Sequence, residues 1–476
     1  MLSLIIKNGR VVTPESDAVR DVGVDGETIA AIAAPGALPA DGARVIDAKG
    51  MIVVPGGVDP HTHLAHAIMT RPDDPGLTLG PEDDTKGMAH GGTTTHIDFA
   101  FVRPGTQIQQ VVEQRAARWK GNSHTDYAFH VTLCGALDLK VFESIPETIQ
   151  AGHPSFKVFT TNILPPHPKR HGNRLDFGRI GFAMEKVAPA GGLMVVHGED
   201  EDLVQFNYER FIAEGKVDGA NLHLIHTKLS ELLAFRRTVA LARAHSAAVY
   251  FVHTSAKEGV DTIVEARAAG LPIYGETLHQ YCCFNAERYK QPRGFCSHTY
   301  PSLKFPEDQA ALWDGLVRSG LSTLATDEYP TPLEIKMRGT RIDDVTGGNL
   351  GAEARMGIGW SEGVVKRGMT LQRFADITAT NAARIFGLYP KKGVIAVGSD
   401  ADLVLIDPLV RKTLSREDFH VADYSPWEGW EVSGWPVTTV LRGRVIADRG
   451  KLLGSTSDGR WLPRKIDGTV LARPVC

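Results

Sequence analysis

Eight short apolar segments alternate with longer polar or alanine-rich segments between residues 51 and 327. The apolar segments are the candidate strands 51–58, 95–101, 128–133, 155–160, 193–199, 247–254, 272–277 and 321–327. Several of the intervening segments, such as 229–244 and 257–269, carry Ala, Leu, Glu and Arg at amphipathic helical spacing. Strands that alternate with helices in this way are typical of the α/β class and of a (β/α)8 TIM barrel. We therefore predict such a barrel over residues 53–392.

The two ends of the chain show a different pattern. Residues 1–52 contain short β-rich runs separated by Asn8-Gly9, Asp25-Gly26 and Asp41-Gly42, which are typical hairpin turns. Similar β-rich runs return from Gly393 onwards. We predict that the two ends pack on each other as one β-sandwich domain, formed by residues 1–52 and 393–476. The tail after about Asp458 is the segment for which we expect the least structure.

The composition is that of a globular protein and argues against several classes of partner. The chain has 476 residues, 42% of them hydrophobic, which is enough for one large and one smaller domain. A net charge of -4, without a basic run interleaved with aromatics, argues against nucleic acid. No apolar run approaches the roughly 18 residues that cross a bilayer, so we expect no membrane partner. The five cysteines are an odd number without Cys-x-x-Cys spacing, and the amino terminus does not resemble a signal peptide, which together predict a cytoplasmic protein.

A pair of histidines follows the first predicted barrel strand, in Gly56-Gly-Val-Asp-Pro-His-Thr-His. His61 and His63 alternate, so on an extended strand end both imidazoles project to the same side. Imidazole is the commonest metal ligand in proteins, although a lone His-x-His pair also occurs on half-buried strands that bind nothing. The downstream strands decide between these two interpretations.

The working residues of a TIM barrel lie at the carboxyl ends of its strands. At the predicted strand ends we find His61, His63, Lys157, His197, His253 and Asp327. A single histidine in such a place is more often structural, but six potential ligands directed at one mouth indicate a metal site.

Lys157 is the unusual member of this set because its neighbours in Ser155-Phe-Lys-Val-Phe are apolar. One interpretation is a lysine that extends out of a buried strand or pairs with an acid. Beside four histidines and an aspartate, a desolvated neutral amine can instead add carbon dioxide to form a carbamate, an anionic ligand that bridges two metals. We favour the carbamate.

The ligands divide into two sets around two divalent ions. We assign His61, His63 and Asp327 to one ion and His197 and His253 to the other, with the Lys157 carbamate shared. Ions about 3.5 to 4 Å apart clamp a hydroxide that is nucleophilic at neutral pH. Asp327 then takes the proton of that hydroxide and passes it to a leaving nitrogen, although it is also placed to cap a helix.

Motifs along nearly the whole chain resemble those of the dihydropyrimidinase and hydantoinase family, the cyclic amidohydrolases of the amidohydrolase superfamily. The matching segments include Gly91-Gly-Thr-Thr-Thr-His-Ile-Asp-Phe, Val196-His-Gly-Glu, Phe251-Val-His-Thr-Ser, Gly275-Glu-Thr, Ala325-Thr-Asp, Thr380-Asn-Ala-Ala-Arg and Asp423-Tyr-Ser-Pro-Trp-Glu-Gly-Trp. The resemblance implies a binuclear, usually zinc, site with a carboxylated lysine and hydrolytic opening of a cyclic ureide or imide. It also implies a β-sandwich built from both chain ends and an assembly of four or two copies.

The chain departs from the family where the family handles substrate. Asn162 stands at the position of the family's tyrosine, which polarises the scissile carbonyl, and Gly347 stands at that of its substrate-holding asparagine. The usual Ser-Pro-Pro-Leu-Arg motif reads Tyr300-Pro-Ser-Leu-Lys, Glu328 replaces a histidine, and His279-Gln replaces Pro-Gln. We therefore take Asn162, Tyr300 and Gly347 as candidate substrate-binding positions. Asn162 or Tyr300 would donate toward the developing oxyanion; the alternatives are a turn residue and a packed aromatic.

Three functions follow from these residues. The first is a metal-dependent hydrolase that opens the amide bond of a hydantoin-like or dihydropyrimidine-like ring by attack of a metal-bridging hydroxide. The second is an allantoinase-like enzyme, or one that cleaves an acyclic amide or ureide, on the same metal centre. The third is a non-catalytic scaffold relative, which the complete ligand set disfavours.

Overall fold

The structure is a computed structural model that describes residues 1–68, 70, 72–421 and 423–476. Its strands are β1 (Leu4–Val12), β2 (Asp17–Asp25), β3 (Thr28–Ala33), β4 (Arg44–Asp47), β5 (Ile52–Pro55), β6 (Gly57–Thr62), β7 (Ala67–Ile68), β8 (Gly76–Leu77), β9 (Thr93–Val102), β10 (Asp126–Leu133), β11 (Ser155–Phe159), β12 (Leu193–His197), β13 (Ala248–Phe251), β14 (Ile273–Leu278), β15 (Thr323–Ala325), β16 (Leu403–Thr413), β17 (Glu431–Leu441), β18 (Arg444–Asp448) and β19 (Lys451–Leu452). Its α-helices are α1 (Pro81–His90), α2 (Ile108–Trp119), α3 (Leu139–Glu143), α4 (Ile145–Gln150), α5 (Phe177–Val187), α6 (Glu201–Ala213), α7 (Leu222–Ile225), α8 (Lys228–His245), α9 (Lys257–Ala268), α10 (His279–Cys283), α11 (Pro306–Val317), α12 (Leu333–Lys336), α13 (Arg355–Ile358), α14 (Leu371–Ala375), α15 (Asn381–Ile385) and α16 (Gly468–Ala472).

A parallel sheet of eight strands forms the centre of the molecule. Strand β6 and strands β9 to β15 follow one another in chain order across this sheet. Its two edges meet just beyond β15, where the Glu328 amide donates to the His61 carbonyl at 3.1 Å and the His63 amide donates to the Glu328 carbonyl at 2.6 Å. These bonds close the sheet into a barrel, which confirms the predicted TIM-barrel fold.

The first predicted barrel strand is in fact two strands. Residues 51–58 were expected to form one strand, but β5 belongs to the terminal sheet and β6 to the barrel, with Gly56 between them. A Cβ at Gly56 would overlap the side chain of Thr94 and lie 2.9 Å from Asp402 Cβ. Glycine is therefore required where the chain passes between the two sheets.

Both ends of the chain build one nine-stranded sheet. Its order is β19-β18-β17-β16-β5-β1-β2-β3, with β4 paired to β1. Apolar residues from both ends, such as Ile6, Val53, Leu403 and Val440, belong to the same buried cluster. This confirms the predicted terminal β domain, while its exact limits at 52/53 and 392/393 remain a prediction.

The carboxyl-terminal tail has little regular structure but is firmly packed. Leu462, Ile466 and Val470 follow one another at four-residue spacing, and all three are buried in a cluster with barrel residues such as Leu193. The Tyr127 amide at the start of β10 donates to the Arg460 carbonyl at 2.9 Å. The tail therefore covers the amino-terminal end of the barrel, opposite the strand ends that carry the predicted ligands.

Two features of the described residues bear on the class of protein. No helix among them combines the length and apolar character that a membrane crossing needs. Each of the five cysteines is free, and Cys134, Cys282 and Cys296 are buried. The fold thus depends on packing and polar contacts rather than on disulfides.

A buried charge cluster joins the barrel to the terminal sheet. Lys392 Nζ lies 2.6 Å from Asp126 Oδ2 at the start of β10, 2.8 Å from Asp402 Oδ2 and 2.9 Å from Asp400 Oδ2. Burial alone would lower the pKa of Lys392, but the three carboxylates outweigh it and raise that pKa. Asp126 also pairs with Arg442, whereas Asp400 and Asp402 have no other ion-pair partner among the described residues. These two carboxylates therefore depend on this ammonium group, because burying an unpaired charge is costly.

We expect Lys392→Met to lower the free energy of unfolding by about 3–5 kcal/mol, because it leaves the buried carboxylates of Asp400 and Asp402 without a cation and Asp126 with Arg442 alone. Urea unfolding followed by fluorescence at neutral pH measures the change. The control is Lys391→Met, since Lys391 is the exposed neighbour and should change stability by no more than about 0.5 kcal/mol. Equal unfolding midpoints for the two variants would contradict the structural role of the cluster.

Candidate metal centre

The six predicted ligands line one cavity of about 530 Å³ at the carboxyl ends of the barrel strands. They are His61 near the end of β6, His63 just after it, Lys157 in β11, His197 at the end of β12, His253 after β13 and Asp327 after β15. All six are buried. The fold therefore brings together residues that are up to 266 positions apart, counted from His61 to Asp327.

The first set consists of His61, His63 and Asp327. Their facing atoms are close: His61 Nε2 lies 3.2 Å from His63 Nε2, and Asp327 Oδ1 lies 3.0 Å and 3.2 Å from these two nitrogens. One ligand atom from each residue falls within 4.8 Å of the others, which suits a single cation. Asp327 has φ of 50°, a left-handed conformation that is uncommon outside glycine and recurs at functional sites.

The second set consists of His197 and His253. His197 Nδ1 lies 2.9 Å from His253 Nε2, and the His253 backbone also has a positive φ, of 36°. The ring centroids of His61 and His253 are 5.4 Å apart, so the two sets adjoin. Burial lowers the pKa of His63, His197 and His253, and the neutral imidazole that results is the form that binds a metal.

Lys157 lies beside both sets and is only 1% exposed. No described polar atom accepts a hydrogen bond from its Nζ, which lies 5.2 Å and 5.0 Å from the ring centroids of Phe99 and Phe159. Burial lowers the pKa of the amine to about 8, although Asp327 and Glu276 oppose the shift. A buried amine without a polar partner is costly, so this position fits a group that gains ligands after folding.

Glu276, in the Gly275-Glu-Thr motif, is fully buried behind His61 and has no role that the sequence alone predicts. Its Oε1 lies 2.6 Å from His61 Nδ1 and accepts a hydrogen bond from the His253 amide at 2.9 Å, while Oε2 accepts from the Tyr250 hydroxyl at 2.9 Å. Burial alone would lower the pKa of His61, but Glu276 and Asp327 raise it to about 9. Glu276 thus holds the Nδ1 side of His61 and leaves Nε2 facing the cavity. The sequence signal for this role is the position of Glu276 in β14, the barrel strand that follows His253.

Glu199 performs the same task for the second set. Its Oε2 lies 2.8 Å from His197 Nε2, and its Oε1 lies 2.9 Å from His226 Nδ1. Burial would raise the pKa of Glu199, but His226 and His197 lower it below its ordinary value, so the carboxylate is ionised. Its spacing in Val-His-Gly-Glu was a sequence signal that went unused.

Comparison with known proteins places this geometry in a family. The model of the amidohydrolase family matches residues 52–446. The D-hydantoinase of Geobacillus stearothermophilus is 34% identical over 99% of this chain and 98% of its own length, and that of Rhizobium radiobacter is 32% identical over 98% and 99%. The crystal structure of dihydropyrimidinase from Brevibacillus agri has a TM-score of 0.91 at 32% identity and covers 98% of this chain and 99% of its own. This chain belongs to the amidohydrolase family, in its hydantoinase and dihydropyrimidinase branch.

Asn162, at the position of the family's tyrosine, lines the cavity but is already engaged within its loop. Its Nδ2 donates to Glu201 Oε1 at 3.0 Å, and its Oδ1 accepts from the amides of Asn173 and Arg174 at 2.9 Å and 3.1 Å. One amide hydrogen is therefore committed to Glu201, and the side chain also organises the loop. Its role toward substrate stays a prediction.

Tyr300 and Gly347, the other two predicted substrate positions in this amidohydrolase, are in contact with each other. The Tyr300 hydroxyl donates to the Val345 carbonyl at 3.0 Å, and a Cβ built on Gly347 would overlap the tyrosine ring. The ring therefore fills the space in which the family's asparagine side chain would begin. The two departures from the family are thus one coupled change.

A buried lysine holds the two loops that carry this pair. Lys336 Nζ donates to the carbonyls of His298, Thr346 and Gly348 at 2.7, 2.8 and 2.5 Å. Burial lowers the pKa of Lys336 to about 7. Because the three carbonyls adjoin Tyr300 on one segment and Gly347 on the other, Lys336 fixes the distance between the two segments.

We expect Glu276→Gln to weaken metal binding by roughly 10- to 100-fold, because it removes the carboxylate that orients His61. Competition titration of the metal-depleted protein with a chromogenic chelator measures the affinity. Glu147→Gln is the control, since Glu147 is exposed on α4. Equal affinities for the two variants would show that Glu276 has no part in the metal site.

We expect Gly347→Asn to destabilise the protein by about 1–3 kcal/mol, because its Cβ overlaps the Tyr300 ring. Tyr300→Ser removes the ring, so the double variant should lose less stability than the sum of the single variants, by at least about 1 kcal/mol. Chemical denaturation of the four proteins completes the cycle. Additive effects would contradict the coupling.

Proposed function

We propose that the protein is a binuclear metal-dependent amidohydrolase that opens the amide bond of a cyclic ureide or imide, of the hydantoin or dihydropyrimidine kind. The observation that carries the proposal is the buried Lys157 amine, which lacks a polar partner and lies between two imidazole sets on a cavity floor. Relatives named D-hydantoinase match nearly the full length of the chain, which supports the substrate class.

The residues fit two divalent ions, and zinc is the metal we propose. His61, His63 and Asp327 would hold one ion and His197 and His253 the other, with Lys157 contributing to both as a carbamate. When bound, such ions polarise the scissile carbonyl and activate water as a nucleophile at neutral pH. Glu276 and Glu199 position the imidazoles for this purpose.

Lys157 becomes a ligand only after a chemical change. With a pKa of about 8, roughly a tenth of the amine is neutral at pH 7, far more than for an ordinary lysine. The Nζ lone pair forms a bond to the carbon of carbon dioxide, one C–O π pair moves to oxygen, and a proton leaves the nitrogen. The proton passes to solvent, and the product is a carbamate whose single negative charge is shared by two oxygens, which suits a site otherwise rich in neutral imidazoles.

Asp327 is the residue we propose for proton transfer. Its Oδ1 faces His61 and His63, and its Oδ2 accepts a hydrogen bond from Thr299 Oγ1 at 3.1 Å. Burial would raise the pKa of Asp327, but the two histidines hold it well below its ordinary value, so the group is a carboxylate. It therefore accepts the proton of the attacking water and delivers it to the leaving nitrogen.

The altered cavity wall supports an alternative kind of substrate on the same metal centre. Asn162, Tyr300 and Gly347 differ from the family pattern, which leaves open an allantoinase-like or acyclic ureide substrate on the same centre. The scaffold alternative is disfavoured by the intact ligand set. We further propose a cytoplasmic enzyme that assembles as a tetramer or dimer, with domain limits near residues 52 and 392, the first at the break between β5 and β6.

The test is reconstitution with zinc followed by a panel of hydantoins, dihydropyrimidines, imides and linear ureides. We expect two ions per chain, turnover of a cyclic member, and a native mass that exceeds the sequence mass by two zinc ions and one carbon dioxide. Lys157→Met should lose the adduct, metal and activity together, because it removes the proposed bridging ligand. The exposed Lys140→Met serves as the control.

Two results would contradict the proposal. A fully loaded protein without turnover of any panel member would rule out the hydrolase. A wild-type protein that neither binds metal nor carries the adduct would favour the scaffold instead.

A further inference from the structure

A basic segment forms one side of the cavity mouth. Residues 167–174, between β11 and α5, read His-Pro-Lys-Arg-His-Gly-Asn-Arg and contain three Lys or Arg, two His and no acidic residue. The chain as a whole has a net charge of -4, so this concentration of positive charge is local. His167, Arg170 and His171 line the cavity.

Arg103 supplies a further cation from the end of β9. Its NH1 lies 3.5 Å from Asn173 Oδ1, and its guanidinium carbon lies 5.6 Å from the centroid of the Phe101 ring. Arg103 also lines the cavity, and no ion pair between described residues includes it. We refer to the guanidinium groups of Arg103 and Arg170, together with the adjoining imidazoles of His167 and His171, as the cationic rim.

Backbone contacts hold Arg170 in the wall of the cavity. Its NH2 donates to the Thr70 carbonyl at 3.0 Å and its NH1 to the Pro165 carbonyl at 2.5 Å. Lys169, by contrast, pairs with Asp73 at 2.5 Å and does not line the cavity. Among the described lining residues the one carboxylate is Asp327, which belongs to the metal set on the floor.

We propose that the cationic rim binds a carboxylate of the substrate, so that the preferred substrate is a cyclic ureide with a short side arm that ends in a carboxylate. This inference rests on the proposed function. Guanidinium groups are the best partners for a carboxylate because they can offer two parallel N–H donors. The ring then lies over the metal floor, and the methylene groups of the arm pass the apolar wall that includes Ile163 and Leu164.

The carboxylate that hydrolysis creates does not account for the rim. That group forms at the scissile carbonyl, which lies against the metal floor, whereas the rim cations come from loops at the mouth. A neutral or aromatic arm would require only the apolar part of the wall. The charge at the mouth therefore matches an anion that the substrate already carries when it enters.

The experiment compares two substrates that differ in charge but hardly in size: a hydantoin with a propionate arm on its ring carbon and the matching propionamide. For the zinc-loaded enzyme we expect kcat/KM to favour the carboxylate by roughly tenfold or more, through KM. Added salt should reduce this ratio, because the rim is open to solvent. Arg103→Gln should lower the ratio toward one, whereas the exposed Arg174→Gln, on the same segment but outside the cavity lining, should preserve it.

Calorimetric binding of the same two compounds to the metal-depleted protein separates recognition from hydrolysis. Tighter binding of the carboxylate, lost in Arg103→Gln, supports the rim whether or not turnover follows. Equal turnover and equal binding of the two compounds would overturn the rim assignment and leave the hydrolase standing. Tighter carboxylate binding without turnover by the loaded enzyme would keep the rim and count against the proposed hydrolysis of this ring.

Discussion

The site depends on one unfavourable arrangement, a lysine amine buried in the middle of a barrel strand without a polar partner. Lys157 is almost fully buried, so an ammonium group is costly there and a neutral amine is better tolerated. The rings of Phe99 and Phe159 offer Nζ only a weak cation–π contact in place of a hydrogen bond. The barrel can hold this group because strands on both sides fix the backbone of β11. The free-energy cost of burying the amine is offset only when Nζ gains new bonds. The fold therefore leaves Lys157 in a state that favours its modification.

Two buried carboxylates turn the neighbouring histidines into directed ligands. Glu276 and Glu199 each hold one nitrogen of an imidazole, His61 and His197 respectively, and so determine which ring nitrogen faces the cavity. Both carboxylates have a second task, Glu276 at the His253 amide and Glu199 at His226. A change at Glu276 therefore affects two proposed ligands, and a change at Glu199 affects one proposed ligand and a buried neighbouring histidine. The metal geometry is thus a property of the network rather than of any single residue.

Sequence reasoning succeeded where a local pattern carries the information and failed where distant contacts do. The barrel strands and the six strand-end residues follow from apolar runs and their terminal polar groups. The break at Gly56 does not, because it depends on Thr94 and Asp402, which are distant in sequence. The packing of the tail after Asp458 could not be predicted for a related reason. Leu462, Ile466 and Val470 are buried only because they pack on the end of the barrel, which is distant in sequence.

The same distinction separates the floor of the cavity from its walls. Most floor residues lie in or directly after strands, whose backbone is fixed on both sides, so their positions can be inferred from the order of the strands. The walls are loops, whose contacts cannot be inferred in this way. The departure from the family pattern at Tyr300 is explained only by its contact with Gly347, whose missing Cβ makes room for the ring. Arg103 and the 167–174 segment lie far apart in sequence yet share one mouth. The same arrangement of strand-end ligands can therefore serve different substrates, because changes in the loops alter substrate recognition without disturbing the ligands.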